Sequence, residues 1–202
     1  MPTIYDLKRQ FQRLLRPVAA ALAKRGFSAN DVTAGALLLS AAHGAWLALM
    51  PASRLPLLLL PVTLFLRMAF NAIDGMMAKE HGQASAKGAV ANELSDVLAD
   101  AALYLPFALI SGLSAPLVVL VVIAGIIAEM AGALGPMVGA SRSYAGPFGK
   151  SDRAFAFGLL AVLIGLGLAP GIWSTLYLSA LLVLSALTVL NRARRIVADA
   201  TG

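Results

Sequence analysis

The sequence has no cysteine and few charged residues. Because none of its 202 residues is cysteine, disulfide bonds and thiolate chemistry are excluded. Asp, Glu, Lys and Arg make up 13% of the chain, about half the share found in soluble domains. A long apolar run is also lacking at the start, where charges recur every few positions. We therefore expect no cleaved signal peptide and a first helix that inserts by itself.

Apolar residues, by contrast, account for 59% of the chain. This composition predicts an all-α, polytopic integral membrane protein. About 20 residues cross a bilayer and about 17 can suffice, and six stretches meet that length or approach it. They are residues 33–50, 55–78, 90–111, 114–138, 154–169 and 172–190.

Positive charge is concentrated at alternate ends of these predicted spans. Of the 16 Lys and Arg residues, six precede the first span, two lie between the second and third, three between the fourth and fifth, and three follow the sixth. Of the other two, Arg54 would lie on the opposite side and Arg67 falls inside the second span. The positive-inside rule therefore predicts that both termini are cytoplasmic. The net charge of +6 is explained by topology and anionic lipid, and we expect no nucleic-acid partner.

The N-terminal residues 1–27 precede the first predicted span. Their apolar side chains share an arc of about 100° on a helix, and their basic side chains lie outside that arc. This pattern favours an interfacial helix on the cytoplasmic leaflet, and the alternative is a solvated helix that leads into the membrane. With no repeat or soluble segment, residues 1–202 are predicted to form a single membrane domain.

Carboxylates interrupt the third predicted span. At 100° per residue, its polar side chains share one face; they are Asn92, Glu93, Asp96 and Asp100. On the preceding span Asn71 and Asp74 also share a face, and the short loop between the spans makes the two helices antiparallel. A carboxylate at the bilayer centre costs about 2.5 to 3.5 kcal/mol on insertion scales.

A divalent cation would offset that cost. Mg²⁺ prefers oxygen ligands and often binds substrate phosphates together with protein carboxylates. Acidic residues on two facing helices therefore suit a metal-assisted phosphoryl-type transfer. The alternative is a polar cluster for helix packing or ion conduction.

The segment NAIDGMMAKEHGQASAKGAVANELSD, residues 71–96, resembles the signature of the CDP-alcohol phosphatidyltransferases, D-x2-D-G-x2-A-R-x8-G-x3-D-x3-D. Its spacing matches throughout, and the full chain is most similar to a bacterial phosphatidylglycerophosphate-synthase-like branch. The resemblance implies six spans after an amphipathic helix and a homodimer. It also implies a signature region at 71–100 that uses Mg²⁺, or Mn²⁺, to transfer a phosphatidyl group from CDP-diacylglycerol to an alcohol with release of CMP.

Carried over residue by residue, Asp74 and Asp96 match the second and fourth acidic positions, and the resemblance makes Asp96 the general base. Asn71 and Asn92 replace the first and third aspartates, and an amide ligates through oxygen without a negative charge. Two other carboxylates on the same face would restore four acidic groups. We therefore predict a rearranged metal-binding quartet that consists of Asp74, Glu93, Asp96 and Asp100. Asn71 and Asn92 would lie beside it as further oxygen ligands.

The resemblance also implies contacts to the cytidine nucleotide. The matching positions are Gly75, Ala78, Lys79 and Gly88 in the signature, and Asn30 and Thr33 in the segment SANDVT. Lys79 replaces an arginine, which keeps the charge and loses the bidentate fork. The alternative for SANDVT is an ordinary helix cap by Asn30 or Ser28.

Basic residues are the candidates for binding the acceptor. Arg142, Lys150 and Arg153 would hold its phosphate, or would serve only as topology signals. Arg67 would meet a lipid phosphate, or pair with Asp74. Glu129 is an intramembrane acid and so a candidate functional residue, with hydrogen bonding between helices as the alternative.

These observations predict a membrane transferase whose acceptor is glycerol 3-phosphate or another phosphorylated polyol. Two alternatives come from other classes. A catalytically silent homologue that binds CDP-lipid is favoured by the two asparagines. A cation transporter would use the same acidic face, but the acids lie near the cytoplasmic end and no inverted repeat is visible.

Overall fold

The computed structural model describes residues 4–201. They form α1 (Ile4–Lys24), α2 (Ala29–Leu49), α3 (Arg54–Glu80), α4 (Ala86–Tyr104), α5 (Ala115–Ala133), α6 (Lys150–Gly165) and α7 (Ile172–Thr201). Short 3₁₀ helices follow α4 at Leu105–Leu109 and α5 at Gly135–Val138. No strand occurs in residues 4–201, so the predicted all-α class is confirmed.

The first of two compact units comprises the chain up to Ala42 together with Val62–Ala99. Its apolar core joins α1, α2 and α3 through Ala19, Ala29, Val32, Ile73, Met76 and Met77. At the surface, Arg16 of α1 donates hydrogen bonds to both carboxylate oxygens of Glu80, at 2.9 and 3.0 Å. This fork holds α1 to the end of α3.

Local side-chain bonds set the start of α2. The Asp31 carboxylate accepts hydrogen bonds from the Ser28 amide and hydroxyl, both at 2.8 Å, and the Asp31 amide donates back to the hydroxyl at 3.2 Å. Ser28 is therefore an ordinary N-cap. The Gln83 side-chain oxygen accepts a further hydrogen bond from the Ala29 amide at 2.6 Å. Gln83 directly follows Gly82, whose φ of +68° suits the left-handed turn after α3.

The second unit comprises His43–Pro61 and the chain from Asp100 onward, and in it α5 packs along α7. Its aromatic core stacks Tyr104 on Phe157 with ring centroids 4.2 Å apart, and Phe107 meets Phe157 edge-on at 5.3 Å. All three side chains are fully buried.

Four of the described helices are long and apolar enough to cross a membrane: α2, α3, α5 and α7. The predicted count of six spans is not confirmed. The third predicted span corresponds to α4, which carries Lys87, Glu93, Asp96 and Asp100; the fifth corresponds to α6, which has 16 residues. Residues 4–24 are helical as expected, and their place at the membrane interface stays a prediction, as does the single domain over 1–202.

Candidate active site

The signature begins on α3, where Arg67, Asn71 and Asp74 recur every three or four residues and so share one face. Asp74 is buried, with 6% of its surface exposed. Its Oδ2 accepts a hydrogen bond from the Thr33 hydroxyl of α2 at 2.8 Å, and that hydroxyl also contacts the Ala29 carbonyl oxygen at 3.1 Å. The structure therefore brings the SANDVT segment against the signature.

Asp96 of α4 contacts the face of α3 that carries Arg67 and Asn71. Asn71 Nδ2 donates to Asp96 Oδ1 at 3.0 Å. Arg67 Nη2 lies 3.5 Å from that oxygen and donates to the Asp96 backbone carbonyl at 2.9 Å. The side chain predicted to be the general base is thus held between an amide and a guanidinium. The asparagine in the first acidic position donates a hydrogen bond where an aspartate would repel Asp96.

The predicted nucleotide positions differ in how closely they are packed. A Cβ added at Gly75 would meet no atom within 4 Å, whereas one at Gly88 would lie 2.9 Å from Asn30 Oδ1. Gly88 therefore allows α4 to approach Asn30 at the start of α2. Ala78 packs against the apolar core, and Lys79 is exposed near the end of α3.

The remaining predicted ligands of the first unit, Asn92 and Glu93, are half-buried on α4. Among the side chains of residues 10–201, no three from His, Cys, Asp or Glu are grouped so that they could hold a metal ion. The first unit thus presents Asp74 and Asp96 in separate hydrogen-bonded settings, and the quartet stays a prediction.

In the second unit Asp100 is buried against Arg153. Asp100 Oδ2 accepts hydrogen bonds from Arg153 Nε at 3.2 Å and Nη2 at 3.0 Å. Arg153 Nη2 also donates to Glu129 Oε1 at 2.9 Å. Asp100 and Glu129 therefore share one guanidinium, and the Arg153 side chain that carries it is 3% exposed. Glu129 of α5 thus bonds to Arg153 of α6, which is the alternative that the sequence left open for it.

Arg142 and Arg192 complete this charged cluster from the other side of Glu129. Arg142 Nη2 lies 3.3 Å and Arg192 Nη1 3.2 Å from Glu129 Oε2. Lys150 is half-buried at the start of α6. From its place after the sixth predicted span, Arg192 is expected to be only a topology signal. The residues next to Arg192 in the sequence form no motif that distinguishes it from Arg194 and Arg195.

Comparisons with known proteins place this geometry in context. No protein-family model matches the chain. Inner membrane protein YnbA of Escherichia coli K12 is 43% identical over 194 residues, which cover 96% of either protein. Two crystal structures of Mycobacterium tuberculosis phosphatidylinositol phosphate synthase PgsA1 are also similar. The structure with CDP-DAG bound has a TM-score of 0.78 at 19% identity, covering 91% of this chain and 94% of that one. The complex with manganese and citrate has a TM-score of 0.76 at 21% identity, covering 90% and 88%.

The helices and the aspartate-bearing signature on α3 and α4 define a membrane protein with the CDP-alcohol phosphatidyltransferase fold, as the resemblance predicts. At this level of identity the synthase structures show the fold alone. The high identity to YnbA over almost the whole length of both proteins shows, in addition, that the chain belongs to the YnbA family.

Proposed function

We propose that this protein transfers a phosphatidyl group from CDP-diacylglycerol to the hydroxyl of an alcohol, releasing CMP, in the inner membrane of a bacterium. The observation that carries the proposal is the pairing of Thr33 with Asp74 and of Asn71 with Asp96 on a fold shared with a synthase crystallised with CDP-DAG. The first pair joins α3 to the start of α2, and the second joins α3 to α4. A cytoplasmic active site, cytoplasmic termini and a homodimer belong to the same proposal.

In the proposed reaction, the acceptor hydroxyl attacks the β-phosphorus, which bears the diacylglycerol oxygen. The new phosphorus–oxygen bond replaces the bond to the CMP phosphate, and Asp96 takes the hydroxyl proton. Arg67 and Asn71 contribute by orienting the Asp96 carboxylate. Holding both substrates in line supplies much of the rate by proximity.

A divalent metal fits the donor chemistry of the first unit only in part. Asp74 and Asp96 provide the hard oxygen ligands that Mg²⁺ or Mn²⁺ prefers, while in the part of the chain whose side chains are described, 10–201, no three acidic side chains are grouped for a metal. Mg²⁺ is commonly held by one or two carboxylates plus substrate phosphates. We therefore expect the metal to bind with the CDP diphosphate, whose negative charge it would neutralise. The manganese complex of the synthase is consistent with this expectation.

Acceptor-dependent release of CMP tests the proposal directly. Purified protein with CDP-diacylglycerol and Mg²⁺ or Mn²⁺ is expected to release CMP with at least one of glycerol 3-phosphate, inositol phosphate, serine or glycerol. Removing the metal with a chelator is expected to stop release, and restoring it to recover the rate. Failure with every alcohol, together with stabilisation by CDP, would support the silent CDP-lipid binder that the two asparagines favour.

The predicted quartet has its own test in Glu93→Gln and Asp100→Asn. Removal of a metal ligand is expected to raise the Mg²⁺ concentration for half-maximal CMP release at least about tenfold, since even outer-shell partners contribute about 10- to 100-fold to metal affinity. Glu80→Gln and Asp199→Asn make the same chemical changes at exposed residues of α3 and α7 and should leave this value unchanged. Unaltered metal dependence in both Glu93→Gln and Asp100→Asn would contradict the quartet.

A further inference from the structure

Three guanidinium groups of the second unit converge on one carboxylate. Glu129 Oε1 accepts from Arg153 at 2.9 Å, and Oε2 lies 3.2 Å from Arg192 and 3.3 Å from Arg142. Guanidinium forks match the oxygens of carboxylate and phosphate groups. The three arginines, here called the arginine cradle, thus form an anion site, and Glu129 supplies the anion.

Small residues of α5 allow the cradle to form inside the unit. A Cβ at Gly125 would lie 3.0 Å from Arg153 Cδ, and one at Gly132 would lie 3.2 Å from Arg192 Nη1. Arg192 Nη1 also donates to the Ala128 carbonyl at 2.6 Å. Arg153 and Arg192 are each 2% exposed, whereas the Arg142 side chain is 26% exposed. The cradle is therefore buried at Arg153 and Arg192 and partly exposed at Arg142.

The charges of the cradle leave little room for a second strong anion. The ion pairs given above join three arginines to two carboxylates, Asp100 and Glu129, and these five charges sum to +1 (three minus two). Two buried donors, Arg153 Nη1 and Arg192 Nε, have no hydrogen-bond partner. A phosphate oxygen that used them would lie beside Glu129, and two negative groups in one buried site repel strongly.

We propose that Glu129 is a built-in anion that occupies the arginine cradle and selects an acceptor alcohol without a phosphate group. This inference rests on the proposed transferase function and on the expected role of Arg142 and Arg153 in acceptor binding. It replaces the phosphorylated polyol that the sequence predicts with an unphosphorylated alcohol, whose hydroxyl groups are neutral. Without the Glu129 charge the cradle would carry a net charge of +2, which matches the charge of about −1.5 to −2 on a phosphate monoester at pH 7.

A binding experiment tests the cradle independently of turnover. The thermal unfolding midpoint in detergent is measured against inorganic phosphate and glycerol 3-phosphate for the wild type, Glu129→Gln and the control Glu80→Gln. The control removes the charge of an exposed glutamate paired with an arginine. We expect both anions to raise the midpoint of Glu129→Gln dose-dependently, and the wild type and control to show no more than a general salt effect, matched with chloride at equal ionic strength.

An activity experiment tests the selection of acceptor. The ratio of CMP release with glycerol 3-phosphate to release with glycerol is expected to rise at least about tenfold in Glu129→Gln and to stay unchanged in Glu80→Gln.

Specific phosphate stabilisation of the wild type, or a folded Glu129→Gln that gains none, would overturn the proposal. If the variant does not fold, the wild type alone decides: a preference for glycerol 3-phosphate over glycerol contradicts the proposal, and the opposite preference supports it. Failure of the transferase function itself would show as no CMP release with any alcohol, while the binding comparison remains valid.

Discussion

Replacing Asp96 with asparagine is expected to lower acceptor-dependent CMP release about a thousandfold, in the middle of the range of about 10² to 10⁴ that a positioned general base contributes. Asparagine has nearly the same shape and retains an oxygen that can accept from Asn71 and Arg67, which contact Asp96 in the wild type. It cannot take the acceptor proton. The rate loss should therefore appear in kcat and persist at saturating Mg²⁺, since Asp96 is also a predicted metal ligand.

The matched control for this change is Asp199→Asn. Asp199 lies near the end of α7, where its carboxylate pairs with Arg195 at 3.1 Å and is partly exposed. The control should release CMP at the wild-type rate. An Asp96→Asn enzyme within about tenfold of wild type would exclude Asp96 as the base, and loss of both turnover and folding would assign Asp96 a structural role instead.

The second large effect is expected on stability, from Arg153→Met. Methionine approximates the length of the arginine stem and removes the guanidinium shared by Asp100 and Glu129. Breaking a buried ion pair by removing one partner costs about 3 to 5 kcal/mol, because a buried charge is left uncompensated. The free energy of unfolding, measured by denaturant titration in detergent, should fall by that amount.

Arg195→Met provides the comparison for Arg153→Met. The Arg195 side chain is 66% exposed and pairs with Asp199 within one helix, and exposed pairs contribute about 0 to 1 kcal/mol. Adding Glu129→Gln to Arg153→Met should recover part of the loss, since it removes a carboxylate that has lost a partner. Equal losses at Arg153 and Arg195 would contradict the structural role of the buried cluster.

The sequence by itself determined the class of protein and the position of the signature. The scarcity of charge and the apolar runs require helices in a membrane, because backbone groups in lipid must be hydrogen-bonded within the chain. The spacing of Asp74 and Asp96 identified the helices that carry the signature. Helical periodicity also placed the polar residues of each helix on one face, which depends only on neighbours along the chain.

Tertiary structure decided which faces meet. Periodicity did not reveal that Asn71 donates to Asp96, since the pairing depends on how α3 lies against α4. Arg192 and Glu129 are 63 residues apart in sequence and 3.2 Å apart in the folded unit. That contact requires α5 and α7 to pack closely, and a Cβ at Gly132 would lie 2.6 Å from the Ser143 carbonyl oxygen and 3.2 Å from Arg192 Nη1. The helix face on which a side chain lies follows from local geometry. The residue that it contacts follows from the packing of helices distant in sequence, and that packing brings separate basic and acidic residues into one buried cluster.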